Sequence, residues 1–298
     1  MQVTTADSVK YKYDFLKYRS IWLIVSIAYI VVGLGFYIAK GGFSYHIDFT
    51  GGAELRVSFE KPSDISTVRG IISAKGWKDA SIQSVGSTGK DFIIRVGSLD
   101  SDTEAHIKRD LTDGLGDNKV HIDNVSWVGA EVGKDTKSNA ITAILICLVF
   151  LLLYIAVRFE FRFGVGAIVA LAHDLLAILT FMLVFNESIS LNFLAALTAI
   201  IGYSINDTIV IFSRIRENLS KLKGVSEYDL VNLSLNQTLR RTLLTSCATL
   251  LSVLAILLLG GETLRGLSLV LFIGIIVGTY SSIYIASPVM MLAGKAKK

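Results

Sequence analysis

Six apolar runs alternate with polar stretches along the chain, each long enough to cross the roughly 30 Å hydrocarbon core of a bilayer as one helix. They read Ile21–Ala39, Ala140–Val157, Phe163–Phe185, Leu191–Phe212, Leu243–Gly260 and Leu267–Ala286. Between the first and second runs, from about Gly41 to Lys137, the pattern becomes that of a soluble domain. Tyr45–Glu60 is strand-like with an interruption at Gly51-Gly52. Asp64–Lys75 carries helical spacing through Ile65, Val68, Ile71 and Ile72, with Ser63 as its expected N-cap. Ala80–Val85 and Phe92–Val96 are short strands, and Asp102–Leu115 aligns Ile107, Leu111 and Leu115 on one helix face. Val120–Val128 alternates as a last strand. The order β-α-β-β-α-β predicts a split βαβ, ferredoxin-like domain of about 90 residues, enough to bury a modest core.

The expected fold is therefore a polytopic α-helical membrane protein of six transmembrane helices, with an α+β ferredoxin-like extracytoplasmic domain between the first and second. Composition agrees: 52% of the 298 residues are hydrophobic and 18% charged, which excludes an ordinary soluble domain. Loop charge sets the orientation. Arg158 and Arg162 follow the second span, and Arg214, Arg216, Lys221, Lys223, Arg240 and Arg241 separate the fourth from the fifth. Lys295, Lys297 and Lys298 end the chain, whereas the Asn186-Glu187-Ser188 loop has no cation and Gly261–Gly266 has Arg265 alone. Both termini are then cytoplasmic. Residues 1–20 read as a cytoplasmic tail, 21–39 as the first span, and 41–137 as the outer domain. Residues 140–290 form a five-helix region with a cytoplasmic loop at 213–242, and 291–298 a second tail. The first span is longer than a signal-peptide core, follows Lys10, Lys12, Lys17 and Arg19, and reads as a retained anchor. Within the loop, Ser226–Leu239 places Tyr228, Val231, Leu235 and Leu239 on one face. That is either a short amphipathic helix on the membrane surface, capped by Ser226, or an ordinary solvated loop.

One polar group breaks the apolar pattern. Asp207 lies inside the fourth run, where a charge near a span's centre costs ~2.5–3.5 kcal/mol on insertion scales, somewhat less toward the Arg214 end. At about 100° per residue, Ala195, Ala199, Gly202, Tyr203, Asn206 and Asp207 share a face expected to pack on other helices. Leu194, Ile201, Ile205, Ile209 and Phe212 share the face expected to meet lipid. Asp207 either handles protons or only fixes a helix by hydrogen bonding. A carboxyl drawn out of water has its charged form disfavoured and a neighbouring cation restores it, so a group between those influences takes and releases a proton as helices move. Arg241, at the start of the fifth span, is the candidate fixed countercharge, its alternative being a snorkelling anchor. Asn206 is the candidate second partner of Asp207. His173 and Asp174, midway along the third span, form either a second proton site or a helix–helix hydrogen bond. Tyr203 and Ser204, beside Gly202, line a water route or tie helices together.

Other chemistry is sparse. Cys147 and Cys247 lie inside spans and read as buried small apolar residues, with neither a disulfide framework nor a metal set. His46, His106 and His121 are scattered without ligand spacing. Gly51-Gly52 lacks the continuation of a phosphate loop and reads as a bulge or bend. The pattern offers no cofactor site, no nucleophile–base pair and no nucleic-acid footprint, so no enzyme activity is expected.

The motifs taken together resemble the SecF protein-export subunits of the SecD/SecF family, within the resistance-nodulation-division (RND) superfamily. They are Gly202-Tyr203-Ser204-Ile205-Asn206-Asp207-Thr208 running into Arg214-Ile215-Arg216-Glu217-Asn218, and Asp48-Phe49-Thr50-Gly51-Gly52 after the first span. His173-Asp174, Gly260-Gly261 with Gly266, and Thr238-Leu239-Arg240-Arg241-Thr242 complete the set. Ser213 stands where the family usually has an acid, and Gly129-Ala130-Glu131 where a Gly-Pro is frequent; neither touches the intramembrane polar set. The resemblance implies a bacterial inner-membrane protein whose six spans pair with six of SecD. It implies work with the SecYEG channel and YajC on exported polypeptide, driven by the proton-motive force. It places Asp207 and Arg241 in the proton path. Competing functions are an RND-type small-molecule or lipid exporter and a non-conducting scaffold for SecD. A drug-sized pocket has little room in one outer domain of ~90 residues.

Overall fold

The computed structural model describes residues 11–77, 80–86, 88–97 and 102–294. The expected tail residues 1–10 and 295–298, with Lys10, Lys295, Lys297 and Lys298, lie outside them. The chain divides into two compact units, 1–44 with 143–298, and 45–142.

In the smaller unit a four-stranded antiparallel sheet has the order β2-β3-β1-β4. Its strands are β1 (Gly52–Phe59), β2 (Ser81–Val85), β3 (Asp91–Val96) and β4 (Val120–Val128). Helices α3 (Ile65–Ala74) and α4 (Thr103–Leu115) link them. Alternate residues of β1 and β3 (Leu55, Val57, Phe92, Ile94) bury against Val68, Ile72, Ile107 and Leu111 of these helices, the period of two meeting that of 3.6. The Trp77 indole donates to Asp110 at 3.1 Å, pinning the end of α3 to α4.

Two details differ from the sequence pattern. Tyr45–Glu60 is not one strand: Ile47–Thr50 closes a single helical turn, α2, before β1 begins. Gly51 and Gly52 make the joint, with φ of 71° and 114°, a region side chains rarely adopt. A Cβ on Gly51 would lie 2.6 Å from the Ala130 Cα, and one on Gly52 would strike the Val96 carbonyl. The cap of α3 is Asp64 and not Ser63; its carboxylate accepts from the Ser66 amide at 3.4 Å and hydroxyl at 2.8 Å.

The other unit carries the spans. Six helical segments are long and apolar enough to cross a membrane: Leu16–Lys40, Ala130–Arg158, Phe161–Phe185, Leu191–Lys221, Glu227–Leu259 and Leu264–Gly294. We label the helices α1 (Arg19–Lys40), α5 (Ala130–Arg158), α6 (Phe161–Phe185), α7 (Leu191–Lys221), α8 (Glu227–Leu259), α9 (Gly261–Ser281) and α10 (Ser287–Gly294). A π-helical turn, Ser282–Ala286, joins the last two. Helices α6, α7 and α9 form the core, and glycines let them close up. Gly274 faces Ile200, Gly278 sits against Ser204, and Gly166 meets the Ala286 carbonyl, where added Cβ atoms would crowd. Only 6% of the apolar window of α5 and 17% of that of α8 is buried by the chain itself, so lipid or a partner must cover the rest.

The expected separate surface helix at Ser226–Leu239 is instead the first half of α8, running unbroken into the fifth span. The cap is Ser226 as expected, accepting from the Asp229 amide at 3.1 Å. No Gly or Pro interrupts residues 227–259, so nothing stops propagation past Arg240-Arg241. Residues 11–15, read as tail, lie along that half: the Asn232 side chain accepts from the Phe15 amide at 2.9 Å. Asn236 accepts from the Tyr13 amide at 3.0 Å and donates to its carbonyl at 2.7 Å. Cys147 is half-buried and Cys247 exposed, not buried, because α5 and α8 find few neighbours within the chain.

Candidate functional site

Helix α7 continues past Phe212 to Lys221, and its buried face is rotated from the expected one. Ala195, Ala199, Gly202 and Asn206 are exposed, while Ile201, Ile205 and Phe212, expected to meet lipid, are buried. The reason lies in the neighbours. Ile200 fills the gap left by Gly274, Ser204 fits under Gly278, and Phe212 stacks edge-on against Phe163 at 5.2 Å. Asp207 still points inward, 3% exposed, at the border of the two faces.

Its surroundings are hydroxyls from α8 and α9. Ser246 Oγ lies 3.5 Å from Asp207 Oδ2 and 2.8 Å from Thr279 Oγ1, and the Tyr203 hydroxyl reaches Ser246 at 3.3 Å. Among the described residues no ion pair is made by Asp207; Arg241 acts on it through space, without a hydrogen bond. Arg241 is exposed and lines a cavity of about 430 Å³ between α7 and α8, with Arg214, Thr238 and Gln237. Asn206 is exposed and makes no hydrogen bond to Asp207, so the expected second partner is replaced by Ser246. Sequence spacing on α7 has no means of showing it, since Ser246 and Thr279 belong to other helices.

Asp174 and His173 are both buried on α6, with His173 Nδ1 3.1 Å from Asp174 Oδ1. The other Asp174 oxygen accepts from Ser204 at 2.5 Å. Ser204 sits one turn before Asp207, so the two carboxylates flank the same stretch of α7. The His173 ring lies 5.9 Å from that of Tyr280, whose hydroxyl donates to the Trp22 carbonyl and contacts Ser26, both at 2.9 Å. A polar seam thus joins α1, α6, α7, α8 and α9. A Cβ added at Gly202 would meet nothing within 4 Å among the described residues.

The Arg214–Asn218 motif ties α7 to α8. Arg214 donates to Gln237 at 2.6 Å and to Glu217 at 2.7 Å; Asn218 donates to Ser234 at 2.8 Å. Arg216 Nη1 is 3.4 Å from the Arg158 carbonyl.

In the smaller unit the second motif organises charge. His46, unassigned from sequence, lies between Asp48 at 3.1 Å and Glu54 at 2.8 Å, and Arg95 donates to Glu54 at 2.6 Å. Burial pulls the His46 imidazole down, but the two carboxylates outweigh it and raise it to about 9. Burial pushes the Glu54 carboxyl up, yet His46 and Arg95 bring it down to about 2. Phe49 is buried beside them, and Thr50 Oγ1 donates to the Gly51 carbonyl at 3.0 Å. Among the described residues no cluster of three metal-ligating side chains occurs.

Six helices long and apolar enough to cross a membrane, a buried carboxylate that makes no ion pair among the described residues, and a compact α/β unit between the first two helices in sequence define a multi-pass membrane protein. The comparisons narrow this. The model of the protein export membrane protein SecD/SecF C-terminal family matches residues 107–296. The SecF translocase subunit of Thermodesulfovibrio yellowstonii is 40% identical over 286 residues, 95% of each chain. That of Pseudomonas aeruginosa is 37% identical, over 93% of this chain and 90% of its own. The chain therefore belongs to the SecD/SecF family. Among solved structures it resembles SecDF, a translocon-associated membrane protein from Thermus thermophilus, with a TM-score of 0.84 and 37% identity. A SecDF in a super-membrane-facing form matches at 0.68 and 34%. The chain spans 97% and 99% of itself in these matches but 40% of each SecDF chain.

Proposed function

We propose that the chain is the SecF-type subunit of a bacterial Sec export machine and that it converts proton passage at Asp207 into motion that promotes export. The observation carrying this reading is a carboxylate, 3% exposed, met by the neutral Ser246 hydroxyl of α8, itself bonded to Thr279 of α9, with Arg241 near but not bonded. A salt-bridged Asp would be locked in one ionic state; this one is free to change. One proton crossing ~100 mV releases about 2.3 kcal/mol, enough to bias a two-state motion of a few kcal/mol.

The positive loops support cytoplasmic termini and a sheet unit on the outer side. Its strand order, with helices crossing over between β1 and β2 and between β3 and β4, supports a ferredoxin-like outer domain. The SecDF matches, in which this chain corresponds to 40% of a longer one, support a SecD partner for the remainder. The exposed small face of α7, with Ala195, Ala199, Gly202 and Asn206, is the surface we assign to that pairing. SecYEG, YajC and the exported polypeptide complete the assembly; Asp174 and His173 are the second proton-handling pair.

Asp207→Asn, expressed with SecD and the channel in inverted membrane vesicles, removes the titrating proton while keeping shape. We expect the stimulation of export by the proton gradient to vanish with insertion and SecD retention unchanged. Full stimulation refutes the reading. Full activity with Arg241 neutralised as well would leave the chain a scaffold.

A further inference from the structure

Helix α8 carries seven Ser and Thr residues, and five of them behave alike. Ser234, Thr238, Thr245, Thr249 and Ser252 each turn the hydroxyl back onto the carbonyl four residues earlier, at 2.8 to 3.1 Å. That is the usual resting place for a hydroxyl on an apolar helix, because it leaves no donor unsatisfied in hydrocarbon. Ser246 departs from the pattern to reach Asp207 and Thr279. Thr242 departs from it to reach nothing. It is 2% exposed, and its Oγ1 is, with Arg162 Nε, one of two buried side-chain polar atoms without a hydrogen-bond partner among the described residues.

The position of Thr242 gives this meaning. Thr238, Thr242 and Ser246 recur every four residues, so they climb one face of α8 with about 6 Å of rise per step. All three are buried. The lower end, Thr238, lines the cavity of about 430 Å³ that also holds Arg214 and Arg241. The upper end, Ser246, touches the Asp207 carboxylate. Thr242 is the step between them. A buried hydroxyl left unpaired costs ~1–3 kcal/mol, whereas a water with polar groups on both sides satisfies it.

We propose that Thr242 holds water between the arginine-lined cavity and Asp207, and so forms the cytoplasmic leg of the proton route. The inference rests on Asp207 being the proton carrier. A threonine hydroxyl both accepts and donates, so a proton leaving Asp207 passes to the adjoining hydroxyl or water while another leaves the far end to the cavity. Reorientation of the chain then restores it, with no net change in any side chain. Apolar neighbours on α8 such as Val253, 6% exposed, lie beyond Ser246 on the other side and belong to no such route.

The test uses the full chain with SecD in inverted vesicles, reading proton uptake and thiol accessibility. Thr242→Val should lower proton flux roughly tenfold, and Thr242→Ser, which keeps the hydroxyl, should restore it. In a background with Cys147 and Cys247 replaced by serine, Thr242→Cys should react with a small cationic methanethiosulfonate added from the cytoplasmic side. Val253→Cys should not. Undiminished flux in Thr242→Val, or Thr242→Cys as inert as Val253→Cys, overturns the proposal. Asp207→Asn run in parallel separates the two readings: if it too conducts normally, the carrier assignment itself falls. If Thr242→Val inserts poorly, the labelling of Thr242→Cys decides alone.

Discussion

Removing one carboxylate from the sheet domain tests the charge cluster that ties α2 to the sheet. Glu54 on β1 stands opposite Arg95 on β3 and accepts from it, while its same oxygen faces His46 at 2.8 Å. In Glu54→Gln the anion disappears and two cations are left facing each other. A fall of the carboxyl from 4.5 to about 2 corresponds to ~3 kcal/mol at 1.36 kcal/mol per pH unit. The rise of His46 from 6.5 to about 9 describes the same interaction from the other end, so the two are not added. Both side chains keep about a fifth of their surface in solvent, and screening reduces the expected loss to ~1–2 kcal/mol. The pH dependence has two edges. Glu54, depressed in the folded state, contributes above pH 4.5 and loses its contribution as pH falls through about 2. His46, raised in the folded state, contributes fully below pH 6.5 and loses its contribution as pH rises through about 9. Amide exchange of β1 and β3, measured by mass spectrometry on the full chain in lipid nanodiscs, reads this directly. At pH 7 Glu54→Gln should lower protection of both strands about five- to thirtyfold. The native chain should lose protection between pH 7 and 10 after correction for intrinsic exchange. Equal protection in the two proteins at pH 7, or a flat native profile to pH 10, refutes the reasoning.

Two further outcomes follow from close backbone approach. Gly278→Ala places a Cβ 2.9 Å from that of Ser204, which is anchored by Asp174. The solubilised protein should lose ~1–3 kcal/mol, seen as a lower thermal midpoint, and an unchanged midpoint would show that α7 and α9 are not so tightly apposed. Gly52→Ala forces a side chain into positive φ against the Val96 carbonyl, so protease protection of the sheet domain should fall while the spans stay inserted. Normal protection would contradict the joint described for α2 and β1.

Much of the architecture is legible in the order of residues alone. Hydropathy marks the spans because a bilayer demands length and apolarity of each helix separately. The strands and helices of the sheet domain are readable because each buries one face, which prints its period on the residues. Asp207 stands out for the same local reason: a charge in an apolar run is conspicuous wherever the helix ends up. What no local pattern carries is which side of α7 is inside. That depends on Gly274 and Gly278 of α9 opening space for Ile200 and Ser204, a fit between surfaces distant in sequence. The surroundings of Asp207 are of the same kind, since Ser246 meets it, and Thr279 meets Ser246, only after α8 and α9 have packed. So is the pairing of His46 with Glu54 and Arg95, which needs the register of β1 on β3. The chain by itself determines which segments enter the membrane and which acid goes with them; packing decides what that acid touches, because contact is a property of two surfaces and a sequence pattern describes one.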